Sequence, residues 1–199
     1  MASIVSLFVV SLVASQSQQT VTDGRVLLDV PSVNSASIVS LNGPWRFHAG
    51  DDLRWADPRF DDSEWSMLDP ALPDGPPPNW QGRGWFRLRL ALSDELINVP
   101  MALWFQRMGP MEVFVDGEKV AKFGDPTASM EDPSIRVSFT KSPVPITFSR
   151  AEVLVAIRYA MPTAITSEIE KGVAAEHCAV GVSRAETIRT EEAHELWTI

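Results

Sequence analysis

A chain of 199 residues with 45% apolar and 22% charged side chains has the make-up of a soluble globular protein, long enough for one ordinary core. Its net charge of −9 at pH 7 argues against a nucleic-acid backbone or an anionic membrane surface as partner, because both need a basic face. Fifteen prolines against eleven glycines, scattered among short apolar runs, favour an all-β chain with many turns over a helical one. With Cys178 alone, neither an internal disulfide nor a cysteine zinc site can form, and its apolar surroundings predict a buried structural thiol.

In chain order, residues 4–14 form an apolar run of signal-peptide length, too short for a relaxed membrane span. Val13 and Ser15 suit the −3 and −1 positions, so cleavage after Ser15 and export to the periplasmic or extracellular side are expected, although no Lys or Arg precedes the run. Residues 16–37 read as a lead, with an edge strand at 26–30 and a loop at 31–37. Residues 45–48 open a domain expected to occupy 38–182. A long irregular stretch to Gln81 follows, in which Asp74-Gly75-Pro76-Pro77-Pro78 forbids a regular ladder. Residues 85–92 alternate strictly, with apolar even positions and with Arg87 and Arg89 on the other face, as in a half-buried strand. Residues 101–106 form a second apolar run. Asp116-Gly117 between β-branched runs predicts a type I′ hairpin, because both central residues need positive φ. Further strands are expected at 135–140, 144–148 and 153–159. Ser183-Arg184-Ala185-Glu186 has the pattern of a capping box, which predicts a helix over 183–199 leading toward a downstream region beyond this sequence.

One stretch is more specific. Leu41-Asn42-Gly43-Pro44-Trp45-Arg46-Phe47 is followed by Trp55-Ala56-Asp57-Pro58, by Phe60-Asp61-Asp62-Ser63-Glu64-Trp65, and by Gly84-Trp85-Phe86-Arg87. Over residues 38–160 this order resembles the galactose-binding-like, jelly-roll sugar-binding domain of glycoside hydrolase family 2 enzymes. It is similar still more to the extracytoplasmic sensor domain of bacterial membrane-bound kinases, phosphatases and cyclases. The resemblance implies a two-sheet jelly-roll sandwich with a short C-terminal helix. It also implies a non-catalytic module that takes a small polar ligand, such as a saccharide, on loops at one end and meets a membrane only through a missing downstream segment. The alternative it implies is an accessory domain of a family 2 glycosidase. In that family the catalytic acids belong to a separate barrel, so no residue here is carried over as catalytic. A third possibility is a sandwich that only meets another domain.

The candidate ligand residues are Trp80, Gln81, Arg83 and Arg87. A flat ring among polar side chains suits the apolar face of a sugar, and Trp80 lies in the proline-rich loop beside Asn79, Gln81 and Arg83. Arg87 either reaches a ligand or pairs with a carboxylate across the sheet. Trp45, Trp65 and Trp85 read as packing residues. Asp51, Asp52, Asp57, Asp61 and Asp62 lack the spacing of a calcium loop, and Asp62-Ser63 reads as a turn cap. The three histidines lack metal-site spacing, and neither a phosphate-cradling loop nor a nucleophile elbow occurs, so no cofactor or metal is expected.

Overall fold

The computed structural model describes residues 20–35, 37–129, 141–161 and 178–188. The expected signal segment, the strand expected at 135–140 and most of the expected C-terminal helix lie outside them.

The fold is an all-β sandwich of two sheets. The larger is seven-stranded, with β4 (Ser66–Leu68), β3 (Trp45–Ala49), β5 (Arg83–Leu92), β10 (Glu152–Ala160), β7 (Met111–Val115) and β8 (Glu118–Phe123) in that order, and with β1 (Arg25–Leu28) also paired to β5. The smaller is four-stranded, in the order β2 (Val39–Ser40), β11 (Cys178–Arg184), β6 (Pro100–Arg107) and β9 (Lys141–Thr147).

Strand β5 organises the larger sheet. Its alternation sends Phe86, Leu88, Leu90 and Leu92 into the space between the sheets and Trp85, Arg87 and Arg89 to the outer face. One edge is covered along its length by β10, in antiparallel register from Glu152↔Ala91 to Ala160↔Arg83. The other edge is divided: β3 pairs with residues 84–87, and β1 then runs parallel to the remainder, from Arg25↔Arg89 to Leu28↔Leu92. The Asp116-Gly117 hairpin forms as expected, with φ of 49° and 88° at its central residues.

Between the sheets, Phe47, Trp45, Phe105, Val155 and Tyr159 form the principal core with the inner residues of β5. Cys178 is buried there, and burial pushes its thiol up to about 12. A second apolar cluster lies on the outer face of the larger sheet, where Trp85, Phe114, Leu154 and Ala156 are covered by Ala56 and Trp65.

Three strands differ from expectation. β2 and β4 are too short to show a period, and β11 contains Gly181 and Ser183, residues that read as non-strand. Ser183 is no helix cap: it is buried in β11, accepts the Trp104 Nε1–H at 2.8 Å and donates to the Arg184 carbonyl. Helical conformation begins only at Thr187 and Ile188. Residues 31–35, expected in a loop, belong to α1 (Val30–Ser35). Asp29 caps this helix by accepting the Ser32 amide at 2.9 Å, and Pro31 is tolerated in the first turn because its missing N–H needs no partner there.

Candidate functional site

The outer face of the larger sheet is where polar chemistry collects. Residues 51–65 fold across it as a cap, beginning with a 3-10 turn over Leu53–Ala56 whose N-terminal residue, Asp52, accepts the Arg54 amide. Three arginines of the sheet hold this cap down. Arg87 has 0% of its side chain exposed. It donates from Nε to Asp62 Oδ2 at 2.8 Å, and from its terminal nitrogens to the carbonyls of Trp55, Asp57 and Phe60. Arg89 Nη1 donates to both oxygens of Asp62, at 2.9 and 2.8 Å. Arg46 donates to the carbonyls of Ser63 and Trp65 and to Asp23. At the near end of the cap, Asp51 accepts from Trp85 Nε1 and from Arg158, which also reaches Glu112.

The electrostatics follow from this geometry. Burial works to raise the Asp62 pKa, but the Arg89 hydrogen bond and the charges of Arg87 and Arg89 outweigh it and hold the carboxyl below its ordinary value. Glu112 behaves alike, with burial opposed by Lys119 and Arg158. Burial pulls the Arg87 pKa down against the pull of Asp62, although an arginine stays charged in any case. The indoles complete the cap: the Trp55 and Trp65 rings meet edge to face at 5.2 Å, and Trp55 meets Trp85 at 6.3 Å.

Beyond the far edge of the cap the same sheet face opens into a furrow of about 480 Å³. Its floor is formed by Ala91 and Leu154 and by the backbone of Leu90 and Val153, whose side chains face the core, with Pro58 of the cap as one wall. Arg25, Arg89, Arg150, Asp116 and Glu152 supply the polar groups around it. Asp116 is partly committed, since its Oδ1 accepts the Leu154 amide at 2.9 Å and its Oδ2 lies 3.3 Å from Arg150 Nε. Arg89 offers Nε and Nη2 beyond its bond to Asp62. The small side chain of Ala91, between the larger residues around it, gives the furrow its depth.

The four residues expected at a ligand site are not brought together. Trp80 packs toward the core between the sheets, its ring 5.7 Å from Phe47 and 6.3 Å from Tyr159. Its Nε1–H is buried and has no acceptor among the described residues. Gln81 is exposed. Arg83 fastens the loop after β8, donating to the carbonyls of Pro126, Thr127 and Ala128. Arg87 lies on the opposite face of the sheet from Trp80, with its donors committed to the cap. Asp62 is an ion-pair partner rather than a turn cap; Asp61 accepts the Ser63 amide in that role. The other early aspartates are committed too, Asp52 to Arg54 and Asp57 to Arg59. Among the described residues no group of His, Cys, Asp and Glu is arranged to hold a metal ion. Sequence reasoning missed Arg25, Arg150 and Glu152. The available signal was Arg89 on the outward face of an alternating strand, and only the parallel register of β1 brings Arg25 beside it.

No known family profile matches the sequence, and no curated protein matches it. Solved structures do. A calcium-binding mutant of Bacteroides uniformis beta-glucuronidase 2 is 16% identical, with a TM-score of 0.50 over 73% of this chain and 18% of that one. A glycosyl hydrolase family 2 member from Bacteroides cellulosilyticus is 19% identical, with a TM-score of 0.46 over 61% of this chain and 17% of that one. Faecalibacterium prausnitzii beta-glucuronidase is 14% identical, with a TM-score of 0.46 over 74% and 31%. The chain therefore spans less than a third of the length of these enzymes, and what it shares with the first of them is a sandwich fold.

Proposed function

We propose that the chain is an exported, non-catalytic β-sandwich module that binds a saccharide on the outer face of its larger sheet. The observation that carries this reading is the furrow beside the cap: an apolar floor with polar groups still free to hydrogen-bond, the combination on which a sugar ring settles. Support for a non-catalytic role comes from the buried carboxylates. Glycosidic acid–base chemistry needs one acid with a raised pKa beside an ionised partner. Asp62 and Glu112 are instead both held ionised by cations.

Such a module serves either as an accessory domain of a family 2 glycosidase or as the sensory part of a membrane signalling protein. The fold likeness to the Bacteroides uniformis enzyme supports the accessory role. The motif order of residues 41–87 and the turn that leads from β11 into Thr187 and Ile188 support the sensory one. Reading the gene past the codon for Ile199 separates them, since a barrel with paired glutamates marks the first and apolar spans before an output domain mark the second.

Titration calorimetry of the chain against neutral and acidic mono- and disaccharides tests binding, and incubation with nitrophenyl glycosides tests catalysis. Heat of binding without hydrolysis is expected. Turnover of any glycoside would overturn the non-catalytic assignment, and silence with every saccharide would overturn the binding one.

A further inference from the structure

We propose that the furrow selects saccharides that carry a carboxylate, held between Arg25, Arg89 and Arg150; this rests on the module being a saccharide binder and names the class it takes. Arg25 and Arg89 are Cα partners on neighbouring strands and share the outer face, because Val26 and Leu28 face the core. Like charges set directly opposite on a sheet repel, and an anion between them removes the repulsion. Asp62 does not balance the pair. It is shared between Arg87 and Arg89 through the bonds that seat the cap, and it leaves Arg89 Nε and Nη2 without a partner among the described residues. The Arg25 side chain has no hydrogen bond or ion pair among the described residues. Arg150, with 61% of its side chain exposed, is tied only to Asp116.

Among the residues that line the furrow, the cationic Arg25, Arg89 and Arg150 outnumber Asp116 and Glu152 by one. A locally positive spot in a chain of net charge −9 is a selective feature, since an anion is repelled elsewhere. The arginine fork matches a planar carboxylate through two parallel hydrogen bonds. The remaining groups fit a sugar better than an inorganic anion. Glu152 and Asp116 accept hydroxyl protons yet repel a multiply charged phosphate. The floor at Ala91 meets the apolar face of a ring, and Leu27, its register partner on β1, adds an outward leucine with 59% of its surface exposed. A volume of about 480 Å³ lies within the range of ordinary ligand sites.

The test is titration of the whole chain with galacturonate, glucuronate, galactose, glucose and inorganic phosphate at fixed ionic strength. The uronates are expected to bind roughly tenfold tighter than the neutral sugars, and Arg25→Ala and Arg150→Ala are each expected to weaken the uronates by about tenfold while leaving the thermal midpoint in place. Neutral sugars binding as tightly as uronates, or uronate affinity indifferent to both substitutions, overturns this inference and leaves the saccharide-binding module standing. Phosphate competing as tightly as uronate overturns the saccharide class of the site. If no sugar binds, the module reading fails with it.

Discussion

Arg87 and Asp62 show how much a single pair can determine. The guanidinium is fully buried under the cap and cannot give up its proton, so removing Asp62 leaves a charge with carbonyl partners only. Asp62→Ala is expected to lose about 3–5 kcal/mol, read from the urea midpoint at pH 7. The pair also sets a pH dependence. The folded-state pKa of Asp62 lies below the unfolded value of about 3.9, so its stabilisation is complete above that value and is lost as pH falls through the folded pKa. Glu112, also depressed, adds to the same acid limb. Asp69 works the other way: burial raises its pKa, so its contribution is lost as pH rises through the folded value. Denaturation at pH 7 and pH 3 is expected to show weaker folding at pH 3, with a smaller difference in Asp62→Asn. The arginine of the pair was legible in sequence as an outward residue on an alternating strand. Its partner was not, because Asp62 lies 25 positions earlier in an irregular segment and Asp-Asp-Ser reads equally well as a turn cap.

Among the elements, β5 is buried on both faces over most of its length rather than half-buried. It was legible because its outer positions 87 and 89 are arginines that pair with Asp62 of the cap, which keeps the period of two. β11 was not, and its Gly181 shows why. A Cβ there would lie 2.5 Å from Ile38 Cγ2, so the strand needs a glycine to let β2 approach, and a strand interrupted by glycine loses its pattern. The same reasoning makes Gly84 a test of the Gly84-Trp85-Phe86-Arg87 motif. An added Cβ would meet Phe47 at 2.6 Å and Trp80 at 2.7 Å, inside the packed core. Gly84→Ala is expected to cost about 1–3 kcal/mol by overpacking, measured by urea denaturation. In a Trp80→Ala background the cost of Gly84→Ala is expected to be smaller, because one of the two clashing rings is gone, and a double-mutant cycle reads the difference. The Pro-rich stretch before Trp80 behaves as its composition demands and contributes no strand between Leu68 and Arg83.

At the scale of the molecule, among the described residues the main path of each sheet ends on strands that discourage pairing with another chain. β4 and β2 are three and two residues long. β8 presents Lys119 and Lys122, and β9 carries Pro143 and Pro145, which are compatible only with an edge. Inside, Cys178 is both buried and held as the thiol, so a thiol reagent at pH 8 is expected to label it no faster than the protein unfolds globally. Rapid labelling of the native protein would reveal local opening between β11 and β6. The placement of the indoles has an optical consequence. Trp55 stands nearly at right angles to Trp65 at 5.2 Å and to Trp85 at 6.3 Å, close enough for their excited states to couple and give a paired circular-dichroism band. Trp45 lies on the other side of the sheet, in the principal core. That band therefore joins Trp55 and Trp65 of the cap to Trp85 of the sheet beneath, and its loss ahead of the β-sheet signal on heating would record the cap lifting from an intact sandwich, in a protein that carries no label.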